Sequence, residues 1–230
     1  MGIARLPQEI IIPKRYDPVF ANNSWEQIIE ACHNNDVPDT WVADGSCYKD
    51  MTIGVNTHRI DIIGKNHDTY AAGGTAPLTF QLHDCYYGSY AMNSDFVNSW
   101  IDSTMRNSRL PSIFNLLPEA IQQGISEVNK LTSIGANNGN IASSSEKLFL
   151  LAQIEIDGQT NFSFSGEGQQ YQYYAVGNST VKNVINGGAN AYWTRSPYRN
   201  VTGFCGFDAL GNATYDIATG SHYIAFAFCF

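Results

Sequence analysis

Reactive side chains are spread thinly along this 230-residue chain. Two His-Asp neighbours, His67-Asp68 and His83-Asp84, come nearest to an acid–base cluster. Adjacent strand residues point to opposite faces, so neither pair is a ready-made dyad, and turn or loop hydrogen bonding is the better account of both. Glu155, Asp157 and Glu167 could supply the two carboxylates of a glycoside hydrolase, which need only meet in space. The five cysteines (Cys32, Cys47, Cys85, Cys205 and Cys229) include no C-x-x-C spacing. That argues against a zinc ribbon and for buried free thiols, with a Cys205–Cys229 pair as the remaining alternative. No nucleophile elbow, zincin, Walker, dinucleotide or EF-hand pattern occurs, so nothing here specifies a catalytic residue, a metal or a cofactor. Arg195, within Trp193-Thr194-Arg195-Ser196-Pro197, reads as a structural arginine bonding loop carbonyls beside a buried Trp193.

Binding chemistry is more visible than catalytic chemistry. The last thirty-five residues, Ser196 to Phe230, contain no Lys, Glu, Gln, Met or Trp, although those types fill 32 of the first 195 positions. At that rate about six would be expected. The stretch instead carries Tyr198, Arg199, Asn200, Thr202, Asp208, Asn212, Thr214, Tyr215, Asp216, Ser221, His222 and Tyr223 among Gly, Ala and Phe. Tyr with short polar residues is the composition of binding loops, and a Gly-rich run of β-hairpins would also lack long side chains.

Several elements must position these residues. Residues 1–22 read as an extended arm: Pro7, Pro13 and Pro18 oppose helix around the apolar Ile10-Ile11-Ile12. Asn23 or Ser24 can cap a helix whose apolar positions are Trp25, Ile28, Ile29 and Cys32, ending between His33 and Asp36. Ile53 and Val55, then Ile60, Ile62 and Ile63, suggest a hairpin turning near Asn56-Thr57, and Leu78 to Leu82 forms another strand. Trp100, Met105 and Leu110 share a helical segment that Pro111 interrupts. Ile113 to Leu117 makes a short turn, and Pro118 opens a last helix. Asn137 to Asn140 is a turn, and Lys147 to Ile156 is expected as the strongest buried strand. Later strands run through Tyr192–Ser196, Gly203–Phe207, the region of Tyr215 and Ile224–Phe230. The final strand alternates Ile224, Phe226, Phe228 and Phe230 with Ala225, Ala227 and Cys229, which puts bulk on one face and close cover on the other.

Composition narrows the partner class. Hydrophobic residues make up 43% of the chain and charged ones only 15%, with a net charge of −8. From Gly158 onward, Glu167, Asp208 and Asp216 balance Lys182, Arg195 and Arg199. A neutral, aromatic C-terminal third suits protein or glycan contacts and not a nucleic-acid backbone. Ile10-Ile11-Ile12 is too short for a signal peptide, and no stretch has the length of a membrane span. The expectation is a chain made in a cytoplasm, without membrane insertion.

Residues from Ile63 to the end resemble a family of domains from gut bacteria and their phages. The resemblance rests on Ile63-Gly64-Lys65-Asn66-His67-Asp68, Thr79 to Leu82, Met105-Arg106, Ile113 to Pro118, Lys147 to Leu151, Gly166 to Tyr171 and Trp193 to Pro197. The Trp-x-Arg-Ser end is similar to the C-terminal half of C-type-lectin-fold proteins diversified by retroelements, among them phage tropism determinants. In those proteins the exposed residues between that motif and the last strand form the ligand face. Such retroelements mutate adenines, commonly in Asn-type codons, which never reach Lys, Glu, Gln, Met or Trp. That is the set absent after Arg195. One departure is Tyr223, where the resembling proteins carry Gly; it reads as a diversified loop or as a different local turn. The Glu-Pro-Asn and Trp-Asn-Asp signatures of calcium-dependent lectins are absent.

Together these readings predict an α+β, C-type-lectin-like fold: a mixed antiparallel sheet with short helices in the first half. Residues 1–40 would be an arm and helix for attachment or oligomerisation, and 41–230 the ligand-binding domain. The implied function is a phage virion receptor-binding protein, on a tail or head fibre, that recognises a host surface protein or glycan. The twelve residues from Tyr198 to Tyr223 would form its ligand face, with Trp193 and Arg195 structural. The arm would contact other virion proteins or further copies, in a trimer by analogy. The alternatives are a surface-glycan depolymerase, a relative of the formylglycine-generating oxidases, or a decoration protein without a receptor. A bacterial cytoplasm or cell surface is the alternative location.

Overall fold

The computed structural model of the chain describes residues 15–96, 99–135 and 138–230. Ile10-Ile11-Ile12, Pro7, Pro13 and Asn137 lie outside them. A short 3₁₀ turn, Phe20–Asn22, leads into helix α1, Trp25–His33. Ser24 caps α1 through a reciprocal exchange with Gln27, satisfying two donors that the first turn would otherwise leave bare. Tyr16, Phe20, Ile28, Ala31 and Cys32 all belong to the main core with Trp41, Phe80 and Phe230. The first described residues are thus built into the domain, and packing does not break at residue 40.

Strands β1 (Tyr48–Ile53), β2 (Asn56–Lys65) and β3 (Leu78–Leu82) form an antiparallel sheet with β9 (Ala227–Cys229), in the order β1-β2-β3-β9. The first hairpin turns at Gly54-Val55, where Gly54 takes a φ of +61°, so Asn56 and Thr57 already pair with Ile53 and Thr52. The turn is one step earlier than the sequence suggests because glycine supplies the left-handed position. β9 is paired along both edges: β3 lies on one side, while Phe149 and Ser126 bridge to Ala227 and Cys229 on the other. Phe226, Phe228 and Phe230 enter the main core, and Ala227 and Cys229 enter a second cluster around Phe149, Tyr171 and Tyr192. The alternation of bulk along this strand therefore separates two halves of one interior.

Three elements differ from the expectations. Pro111 does not break its segment. The turn Met105–Arg109 widens to a π-helix, the Leu110 N–H reaches Met105 O, and Pro111 follows directly in α2 (Leu110–Phe114), so the helix continues through the proline by way of the widened turn. α3 follows as Glu119–Gly124, with Pro118 immediately before its first turn. The run Lys147–Ile156 is not a strand. Leu148–Ala152 is buried, with the single bridge from Phe149, and Gln153–Asp157 coils into α4, ended by the left-handed Gly158. A short apolar run cannot by itself distinguish a buried strand from a buried helix.

The third difference is a hairpin of β4 (Val128–Gly135) and β5 (Asn138–Glu146) that hydrophobic alternation does not reveal. Lys130 and Thr132 on β4 are buried while Leu131 is exposed. Inside and outside are inverted, so the pattern reads as noise. After α4 come α5 (Gln172–Ala175) and a meander of β6 (Tyr192–Pro197), β7 (Phe204–Phe207) and β8 (Ala213–Asp216). The whole is α+β with antiparallel sheets and few short helices.

Candidate functional site

The C-terminal meander fixes the face. β6 is held by Arg195, whose guanidinium is fully buried. It donates to the carbonyls of Leu150, Leu131 and Glu167, to Thr132 Oγ1, and through both terminal nitrogens to Glu155. Trp193, also buried, donates Nε1–H to Tyr90 O and meets the His222 ring edge to face at 4.5 Å. Gly203 admits β8: a Cβ there would lie 2.3 Å from Asp216 O. Serine or alanine at that position would push the two strands apart.

Two loops are locked together beyond β6. Tyr198 N–H bonds Gly203 O and closes the 198–203 turn. Arg199 N–H bonds Phe162 O, and its guanidinium donates to the carbonyls of Ser163 and Thr160. Arg199 therefore acts as a tie between loops. Tyr198 is only 7% exposed, and its ring lies parallel to that of Tyr215 at 3.7 Å between centroids and 12° between planes. Tyr215 is 45% exposed, with Phe162 beside it at 5.4 Å. Asn200 donates to the Tyr198 hydroxyl at 3.2 Å, and Thr202 is exposed at the tip. The hydrogen bond shared with Tyr198 pushes the Tyr215 phenol above its ordinary value.

The twelve expected ligand residues do not form one patch. Asp208 and Asn212 lie at the far end of β7, because successive turns of a meander alternate ends. Asp208 organises that turn, accepting from the backbone N–H of Leu210 and Asn212, which holds its carboxyl below the usual range. Thr214 and Asp216 point to the opposite side of β8 from Tyr215. Asp216 there pairs with His222 at 2.9 Å, and Ser221 reaches Ser89. Tyr223 is half-buried and bridges Tyr192. Tyr198, Arg199, Asn200, Thr202 and Tyr215 alone gather round one spot. Phe162 joins them from the 158–164 loop, with nothing to mark it in the sequence beyond being aromatic.

The acid–base candidates are occupied elsewhere. Glu155 lies in a buried cluster in which Lys130 Nζ stands 2.7 Å from both Asp68 and Glu155, and 3.0 Å from the Tyr171 hydroxyl. Burial pushes Glu155 up, but the charges of Arg195 and Lys130 outweigh it and hold the carboxyl low. Burial wins at Glu167, which is raised although Ser196 Oγ and Ser133 N–H donate to it. Asp157 accepts from Gln153 and the Gln159 N–H. The His-Asp neighbours diverge: His67 stacks on Tyr171, Asp68 binds Lys130, His83 pairs with Asp61 at 2.6 Å, and Asp84 accepts from Asn183. All five thiols are buried and free. Cys205 Sγ faces Pro197 O while Cys229 Sγ faces Thr79 and Asp68, and burial pushes both thiols up. Among the described residues no helix is long and apolar enough to cross a membrane.

No curated protein and no solved structure matches the chain. The matched family region runs from Thr79 in β3 to Tyr223, just past the His222–Asp216 pair; β1, β2 and β9 fall outside it though β2 and β9 both pair with β3. Over residues 79–223, which include the aromatic corner and the whole β6–β8 meander, the chain belongs to the family described as a domain of unknown function, DUF6273.

Proposed function

We propose that this domain is a receptor-binding module of a phage virion, built on a C-type-lectin-like fold, that engages a host surface through the loops around Tyr215. The observation that carries the reading is the aromatic corner in the segment that lacks five residue types. Tyr215 is rigidly seated on Tyr198, and exposed short polar residues stand beside it, while the inward positions of the same segment are Phe, Ala and Cys. Large amphipathic rings with adaptable polar neighbours are the makeup of selected binding surfaces. A terminal strand paired on both edges also agrees with the lectin-like assignment.

The test must spare the core. Truncating Tyr198 would remove a buried ring, so the informative variant combines Tyr215→Ala, Asn200→Ala and Thr202→Ala. The labelled triple variant should lose binding to a panel of gut bacterial cells that the parent binds, with its melting temperature within about 3 °C of the parent's. Equal cell binding by the two proteins would place the ligand face elsewhere. On the genome, the virion and retroelement reading requires a neighbouring reverse transcriptase gene and a near-copy of the codons for residues 193–230.

A further inference from the structure

We infer that the exposed face of Tyr215 is the stacking platform of a carbohydrate subsite that takes the apolar face of a hexopyranose. This rests on reading the C-terminal loops as the ligand face. Tyr198 covers one face of the Tyr215 ring at 3.7 Å, so the 45% of Tyr215 that remains exposed is its outer face and edge. Phe162, inclined at 51° and 5.4 Å away, makes a side wall. The result is an open aromatic corner and not a closed pocket.

Its chemistry selects the ligand class. An aromatic face carries negative quadrupole potential and attracts polarised C–H groups laid flat against it. A pyranose offers such a C–H face, with hydroxyls around the rim. The loops that hold Phe162 and Tyr198 also carry Asn161, Asn200 and Thr202, all exposed and uncharged. An amide both donates and accepts, which matches vicinal hydroxyls. A protein partner would instead be expected to anchor in a desolvated pocket, which an open corner does not provide. An anionic ligand would want a cation, and the Arg199 guanidinium is committed to Thr160 and Ser163. The corner is also pre-organised: Arg199 ties the two loops and Asn200 braces Tyr198, so little ordering remains to oppose a weak stacking interaction.

The experiment uses the full chain against immobilised oligosaccharides ending in glucose, galactose or mannose, alongside bacterial cells treated with periodate or with protease. The parent should bind at least one terminal hexopyranose. Tyr215→Ala should weaken that binding roughly tenfold or more, and Tyr215→Phe, which keeps the ring, should stay within about threefold of the parent. Periodate should abolish cell binding and protease should not. Cell binding that survives periodate, is lost on protease treatment and still requires Tyr215 would overturn the carbohydrate assignment while leaving the ligand face in place. Cell binding that is indifferent to Tyr215, Asn200 and Thr202 would overturn both.

Discussion

Arg195 and Glu155 form a two-pronged pair, Nη1 to Oε2 at 2.5 Å and Nη2 to Oε1 at 2.9 Å, with neither side chain reaching solvent. The pair joins β6 to α4, and Lys130 extends it to β4 and Asp68. Four segments that the chain visits far apart in sequence are thereby held at one point. Removing one partner leaves the other charge buried, which costs far more than the intact pair contributes. Arg195→Ala should destabilise the fold by about 3–5 kcal/mol. Arg195→Lys should recover little, since an ammonium cannot reproduce the fork. The urea midpoint checks both; an unchanged midpoint for Arg195→Ala would remove the cluster from any account of stability.

Asp68 governs the acid limb. Burial pushes its carboxyl up, but Lys130's charge and donors from Lys130, Thr79 and Tyr171 outweigh that and bring it to about 2. A folded value below the unfolded one means stability that is present above about pH 4 and is lost as pH falls towards 2. The loss should reach about 2–3 kcal/mol, and Asp68→Asn should flatten the slope of stability against pH in that window. Glu167, raised by burial, acts above that window, where falling pH adds stability until the unfolded carboxyl is also protonated.

The burial of the thiols sets the alkaline limb. Burial pushes Cys32 and Cys85 up to about 12, whereas an unfolded thiol titrates near pH 8.5. Raised folded values mean stability that is complete below pH 8.5 and is lost as pH rises. Each of these thiols should cost about 2 kcal/mol by pH 10. Lys182, brought down to about 8 by burial, gains stability over the same range and partly opposes them. Denaturation at pH 8 and pH 10 should show a net fall that Cys32→Ala reduces; a parent that is equally stable at both would contradict the assignment.

Sequence carried this fold unevenly, for physical reasons. Strands with bulk on one face were legible, as at Leu78–Leu82 and in the Phe226, Phe228, Phe230 alternation, and so was the start of α1, narrowed to Asn23 or Ser24, of which Ser24 is the cap. The β4–β5 hairpin was not, because Lys130 and Thr132 face inward only in the presence of Asp68, Glu155 and Arg195, which arrive from other segments. At the candidate site, composition marked the stretch of chain that carries Tyr198 and Tyr215. It could not tell that Tyr198 is covered by Tyr215, that Arg199 is spent on Thr160 and Ser163, or that Asp208 turns away at the other end of β7. Phe162 joined the corner through tertiary contact alone.

We propose that the N-terminal arm carries assembly with other copies or other virion proteins. Its apolar run, Ile10-Ile11-Ile12, is flanked by Pro7 and Pro13 and is too short to fold by itself. Where the deletion stops decides what it tests. Tyr16 and Phe20 are buried against Trp41, and Asn23 bonds the Asp17, Val19 and Phe20 carbonyls, so removing residues 1–20 would strip the core. Removing only residues 1–14 should leave the melting temperature within about 3 °C of the parent's. The mass by light scattering should then drop from an oligomer, a trimer by analogy, to that of one chain. An unchanged mass for the 15–230 protein would assign assembly to another surface and leave the arm without that role.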